Sequence, residues 1–350
     1  MLSPYFQNNR MKKSIFVRRN FSRLSVAILL LSAAACSKST SSSSTGEGNW
    51  ITRSELEGVG RSEAVSFVIN DKAYLGTGYD GTNRLTDFWE YDPDQNFWTQ
   101  KADLPGTPRN SAVAFDAGGK GYVGTGFDGT NKLKDFWEYD PENNSWKQKA
   151  DFGGNARYDA VAFGIGGKGY VTTGFDGNYL KDFWTYDPAT DSWTQKISMG
   201  GSKRSGAVSF VHDNKAYIVT GTNNGQTVND FWVYDASADS WTELRKISNV
   251  STDSYDDAYT IVRGNGVAFV MADKAYVTCG ENGGIFNDCW EYDFGTDLWV
   301  KKTAFEGTQR TGAVGFAVKN RGFVTTGRNS SLSFDDLREF LPFDTYNAND

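Results

Sequence analysis

Histidine is almost missing from this chain: among 350 residues there is one, His212. A metal centre that needs two imidazoles, or a hydrolase built on a serine paired with a histidine, therefore has little to work with. No other cluster has metal-ligand spacing and no glycine-rich stretch has the form of a phosphate loop, so neither a metal nor another cofactor is expected. Cysteine is scarce as well, with only Cys36, Cys279 and Cys289. The 36 basic residues are outnumbered by 43 acidic ones, for a net charge of −7, which argues against nucleic acid as a partner. Long apolar runs are absent too. The run Val26 to Leu31 is too short to span a bilayer as a mature helix.

That run nevertheless has a recognisable setting. Six basic residues (Arg10, Lys12, Lys13, Arg18, Arg19, Arg23) and no acidic ones precede or flank it, and Ser32-Ala33-Ala34-Ala35-Cys36 follows, so residues 1–35 read as an export signal. Small residues before a cysteine resemble the bacterial lipoprotein box, although Ala33 stands where Leu is usual; the resemblance implies that Cys36 becomes the lipidated first residue. An ordinary signal cut after Ala35 is the alternative, Arg18-Arg19-Asn20-Phe21 is similar to a twin-arginine export motif, and Met11 is an alternative start. Residues 36–49 hold that cysteine and a Ser/Thr-rich stretch that cannot bury a core, a flexible tether. Losing the six positive charges of the leader takes the formal balance from −7 to −13. The expected location is the outer membrane, facing the periplasm or the cell surface, with membrane contact through the lipid anchor only.

From residue 50 onward the chain repeats. Copies start at Arg61, Arg109, Arg157, Arg204, Arg263 and Arg310, and a glycine follows each by 17 residues (Gly78, Gly126, Gly174, Gly221, Gly280, Gly327). Five copies carry two tryptophans nine residues apart, from Trp89 and Trp98 to Trp290 and Trp299, whereas the sixth has Arg338 at the first place and ends before the second. A period of this length points to propeller blades of four antiparallel strands, hence an all-β, six-bladed β-propeller over 50–350. The spacing of 11 from Trp50 to Arg61 matches that from Trp98 to Arg109, so residues 50–57 are expected to supply the strand missing from the last blade and close the ring. Within each copy the first strand keeps Val and Phe two apart (Val65 and Phe67) with Ala, Ser or Gly between them. The second carries an aromatic such as Tyr74 and ends at the glycine, and the third runs Asp-Phe-Trp-Glu-Tyr-Asp-Pro at 87–93.

The strand-ending glycine, the Tyr-Asp-Pro and the tryptophan beyond it resemble the kelch family over nearly all of the mature chain, with Thr-Gly or Cys-Gly where most kelch repeats have Gly-Gly. Kelch propellers serve as protein-binding domains, as the scaffold of galactose oxidase and as bacterial sialic acid mutarotases. The copper-radical oxidase needs two histidines and a Tyr–Cys crosslink, which this sequence does not supply, and His212 falls in the turn after a first strand, where an exposed position is expected. The resemblance implies a membrane-anchored extracytoplasmic binding module for a glycan or protein ligand, expected to be a monomer and without a catalytic residue. A sugar mutarotase or epimerase using Glu63 and Asp159 is the alternative from the enzyme class.

Three groups of positions bear on that choice. The arginines Arg61, Arg109, Arg157, Arg204, Arg263 and Arg310 are each followed by an aspartate 25 or 26 residues on (Asp87, Asp135, Asp182, Asp230, Asp288, Asp336), so they read mainly as an architectural ion-pair ring. The places just after them differ from blade to blade, and Glu63, Ser111, Tyr158, Asp159 and Asn265 are candidate ligand contacts at the mouth. The one break in period, 22 residues between Trp241 and Arg263, is expected to overhang the same face and to add Tyr255, Asp256 and Tyr259. The Asp-Gly loops at Asp80, Asp128 and Asp176 read as turns rather than calcium sites. Cys279 and Cys289, in one blade and on neighbouring strands, are expected to form a disulfide.

Overall fold

The first strand of every repeat alternates large and small side chains, and the alternation decides what faces what. In the computed structural model, which describes residues 47–350, Val65, Phe67 and Ile69 are buried between blades. The residues between them line a central channel of about 210 Å³ walled by Ala, Val, Ser and Gly of all six first strands. The leader, Cys36 and most of the tether lie outside the described residues.

The N-terminal strand β1 (Asn49–Arg53) is followed by the first blade: β2 (Val65–Ile69), β3 (Lys72–Gly76), β4 (Phe88–Asp92) and β5 (Phe97–Lys101), an antiparallel sheet in that order. Four more blades repeat the pattern, and the last has Val314–Val318, Arg321–Thr325 and Leu337–Leu341 with β1 as its outer strand. Trp50 pairs with Phe340 and Thr52 with Arg338, so the two chain ends close the ring by a full strand register. Trp50 is completely buried against Phe340 and Phe305, with ring centroids at 4.7 and 5.1 Å. Arg338, standing where other blades have Trp, takes the place of an indole N–H near Asp336 (Nε to Oδ2 3.8 Å).

Successive blades are glued by aromatic stacks. Phe67 lies on Tyr74 at 5.2 Å, Phe115 on Tyr122 at 5.1 Å and Phe316 on Phe323 at 5.3 Å, and Tyr139 or its equivalents cover the pair from the next blade. Such contacts supply shape-specific attraction beyond area burial. The strand-ending glycines have φ between 91° and 103°, a conformation that needs the missing Cβ.

Two expectations are corrected here. Cys279 and Cys289 are buried free thiols. The register pairs Cys289 with Thr278, and Cys279 lies one residue past the strand at φ 57°, its carbonyl held by Arg263 Nη1 at 2.9 Å. Burial pushes the Cys279 thiol up to about 11 and that of Cys289 higher still. His212 is half-buried at the end of its strand and stacks on Phe294 at 4.0 Å, rather than standing free in the turn.

Candidate functional site

Every repeat arginine is buried to within 1 % of full burial, and its donors are spent inside its own blade. Arg109 shows the arrangement: Nη1 and Nη2 donate to the two oxygens of Asp135 at 2.8 and 2.6 Å, Nη1 also to the Thr125 carbonyl at 3.0 Å, and Nε to the Thr107 carbonyl at 2.9 Å. The Trp137 indole donates to the same carboxylate at 2.7 Å. Ion pairs join arginine and aspartate in all six blades, and the arginine itself engages both carboxylate oxygens in blades 1, 2, 3 and 6. Burial alone pushes the Asp135 carboxyl up, but the Arg109 guanidinium and the indole outweigh it and hold the group below the usual carboxylate range.

The same arginines brace the residues that depart from Gly-Gly. Thr77, Thr125, Thr173, Thr220, Cys279 and Thr326 all have φ between 56° and 65°, a strained choice for any residue with a Cβ and most of all for the β-branched threonines. In each case the arginine Nη1 holds the strained residue's carbonyl at 2.8–3.1 Å.

Two residues past each arginine the chain does something that sequence reasoning missed. Glu63, Ser111, Asp159, Gly206, Asn265 and Gly312 all have φ between 51° and 61°. Their backbones form a closed ring around the throat: Ser111 N donates to Glu63 O at 2.9 Å, Asp159 to Ser111 at 3.1 Å and Gly206 to Asp159 at 3.0 Å. Asn265 donates to Gly206 at 2.8 Å, Gly312 to Asn265 at 3.0 Å and Glu63 to Gly312 at 2.7 Å. The available signal was the choice of residues, since Gly, Asn and Asp, which accept the left-handed region most readily, occupy four of the six places. With the backbone committed to the ring, the side chains at Glu63, Ser111, Asp159 and Asn265 border the throat, a space of about 140 Å³.

Above the throat a cleft of about 620 Å³ opens over blades 6, 1, 2 and 3, and Glu63, Ser111, Tyr158 and Asp159 line it together. Ser111 Oγ donates to Glu63 Oε2 at 3.0 Å, and Asn110 Nδ2 donates to the same oxygen. Asn110 Oδ1 accepts from Arg84 Nε at 2.6 Å. The Arg84 guanidinium is clamped between the rings of Tyr79 and Phe127, 5.1 Å from each centroid. Arg328 approaches Glu63 from blade 6, Nε to Oε1 3.9 Å. Asp159 is reachable by solvent yet walled by protein in the throat. Burial, reinforced by the like charges of Glu63 and Glu281 and opposed by a hydrogen bond with Ser111, pushes its carboxyl up to about 7. Tyr79, Arg84, Phe127 and Arg328 are site residues that sequence reasoning missed: they stand on loops of three different repeats, and only closure of the ring gathers them.

Asn265 is set apart from the cleft, in the throat, with its Nδ2 on Glu281 Oε1 at 3.1 Å. The insertion before Arg263 does not reach the cleft. Tyr259 is buried between blades 4 and 5 and accepts the Trp299 backbone N–H at 2.6 Å. Asp256 is buried and accepts from Val250 N at 3.0 Å, Ser251 N at 2.9 Å and Ser251 Oγ at 3.0 Å, which folds the insertion on itself. Tyr255 packs against Tyr259 and Arg245. The extra residues bury their aromatics on the blade edge, where apolar area is removed from water, instead of projecting over the mouth. The Asp80 and Asp128 carboxylates accept backbone N–H groups of their own loops at 2.6–2.7 Å, as turn residues do. Among the described residues no group of three or more His, Cys, Asp or Glu is placed to hold a metal ion.

Comparison with known proteins agrees with this architecture. The family model for the KLHDC2/KLHL20/DRC7 Kelch-repeats domain matches residues 154–327, and the Kelch motif model matches 126–153. No characterised protein in a curated set matches significantly. Many solved structures share the fold; one, described as "Structure of YjhT", is 19% identical with a TM-score of 0.67, over 81% of this chain and 95% of that one. With two kelch models abutting and six four-stranded blades closing around them, the chain belongs to the kelch-repeat β-propellers, a fold that serves as a scaffold for protein binding or for enzymes.

Proposed function

We propose that this protein is an exported, lipid-anchored binding module that takes a glycan in the cleft over blades 6, 1, 2 and 3. The observation that carries the reading is the mixed chemistry of the cleft wall, where the rings of Tyr79, Phe127 and Tyr158 stand beside Arg84, Arg328 and the linked set of Glu63, Asn110, Ser111 and Asp159. A sugar ring has an apolar C–H face that suits aromatic surface and a rim of hydroxyls that both donate and accept. Carboxylates, amides and guanidinium groups fixed in place match that rim. The leader features, the Ser/Thr-rich tether and Cys36 support delivery to the outer membrane, where glycans are met.

A glycan array followed by calorimetric titration of the best sugar tests the reading. Tyr158→Ala is expected to weaken binding at least tenfold while keeping the wild-type melting temperature, and Asp159→Asn to weaken it at least tenfold without lowering that temperature. A protein that binds no glycan on the array, but captures a polypeptide through this cleft, would overturn it in favour of a protein ligand.

One observation favours a second reading, a sugar mutarotase. A carboxyl near 7 beside a second carboxylate can give and take protons at neutral pH, and opening a hemiacetal ring needs a proton removed from the anomeric hydroxyl and one delivered to the ring oxygen. Asp159 as acid and Glu63 as base would fill those roles. Exchange spectroscopy between anomers of the bound sugar decides it: an interconversion rate equal to that in buffer removes the enzymatic reading.

A further inference from the structure

The cleft wall does not stop at Tyr158. From Arg84, held between Tyr79 and Phe127, the aromatic contacts run on without a gap: Phe127 to Tyr158 at 5.3 Å, Tyr158 to Phe175 at 5.6 Å and Phe175 to Tyr179 at 5.1 Å. All of these rings are half-buried, and successive ones are turned by 41°, 61° and 64°, so no two neighbours in the row lie parallel. The row crosses blades 1, 2 and 3 and ends in a second cleft of about 380 Å³, lined by Phe175 and Tyr179 on one side and by Lys203, Asn223 and Asn224 of blade 4 on the other. The equivalent loop positions on blades 4 and 5 are Thr222 and Glu281, so the aromatic row covers one half of the mouth and not the other.

We infer that this row is a track of subsites, and that the ligand is an oligosaccharide of several units running from the Asp159 cleft to the Tyr179 cleft; the inference rests on the glycan reading above. Two clefts, each roomier than one hexose, are joined by rings spaced at about the length that one pyranose adds to an extended chain. The far cleft offers the amine of Lys203 and the amides of Asn178, Asn223 and Asn224, donors and acceptors suited to the hydroxyl groups of a neutral sugar. Because each added unit meets a preformed ring without a new loss of overall translation, affinity should climb with chain length.

The test uses cello-, malto-, xylo- and chito-oligosaccharides of one to six units, titrated calorimetrically into the purified protein. In the series that binds, affinity is expected to rise at least tenfold from one unit to four. Tyr179→Ala and, independently, Asn223→Ala on the opposite wall should cancel that rise while single-unit binding stays within twofold of wild type. Both residues sit on loops outside the buried core, and an unchanged melting temperature verifies the fold. Binding that does not depend on length, or a rise retained in both variants, overturns the track and leaves the first cleft standing. Binding by none of the four series overturns the track together with the glycan reading.

Discussion

Replacing Arg109 by alanine tests the largest structural claim, that the arginine ring holds the blades together and is not itself the ligand site. Arg109 is fully buried and satisfies both oxygens of Asp135 and the carbonyls of Thr125 and Thr107. The substitution leaves a carboxylate with only the Trp137 indole as side-chain partner, and frees the strained Thr125 from its restraint. Breaking a buried pair by removing one partner costs about 3–5 kcal/mol, because the other charge stays behind uncompensated. Set against a total stability of roughly 5–15 kcal/mol, that is about a fifth or more of the whole. At this chain length 1 kcal/mol moves the melting temperature by on the order of 2 °C, so a fall of about 6–10 °C is expected. Arg109→Lys should recover only part of it, since an ammonium cannot engage both oxygens in a fork. Urea unfolding followed by tryptophan fluorescence and by far-UV circular dichroism gives the free energy, with coincident curves required for a two-state treatment. The sign with pH is also set. The folded-state value of Asp135 is depressed, so the pair's stabilisation is present above the unfolded value of about 4 and is lost as pH falls through the folded value. The wild-type advantage over Arg109→Ala should therefore shrink below about pH 4. An Arg109→Ala protein that melts with the wild type but has lost its ligand would refute the reasoning and make the ring a binding element.

Three further outcomes follow from the same structure. Trp50→Ala removes the completely buried centre of the ring closure and should cost about 3–5 kcal/mol, while deleting residues 48–56 should bare the Leu337–Leu341 edge and give aggregation by light scattering; a soluble, wild-type-like deletion would defeat the closure argument. Unfolding without reductant in the presence of an alkylating agent should label Cys279 and Cys289 quantitatively, and a linked peptide in the mass spectrum would contradict the free thiols. Asp159→Asn should stabilise the protein increasingly as pH rises from about 4 to about 7 and by a constant amount above that, because between those values the carboxyl is ionised in the unfolded chain but still protonated in the folded one; a pH-independent difference would remove Asp159 from its shielded setting.

The insertion shows why some expectations miss. A segment of 22 residues with two tyrosines and three aspartates looks the same in sequence whether it projects or folds back. What decides is whether its apolar groups find a groove, and Ile247, Tyr259 and Ile261 find one between blades 4 and 5. The cysteines make the parallel point about register: ten residues apart on a hairpin suggests a pair, but the strands align Cys289 with Thr278, and Cys279 falls just past the strand in the left-handed region, so the two thiols share one core cluster without a bond. Glu63, Ser111, Tyr158 and Asp159 were legible as candidates because they vary within an otherwise constant repeat, and they do share one cleft.

By itself the sequence determined the number of blades, their four strands, the arginine–aspartate partners and the strand that closes the ring, because a repeat states the same local rule six times and each copy checks the others. The tertiary structure alone decided which half of the mouth carries aromatics, that Arg84 is clamped between rings of two blades, and that six backbones join in a hydrogen-bonded ring at the throat. Those features depend on residues about 50 apart in sequence meeting across blade boundaries, with angles set by sheet twist and by side-chain packing between neighbouring sheets. No local pattern encodes that geometry, so it appears only once the propeller is closed.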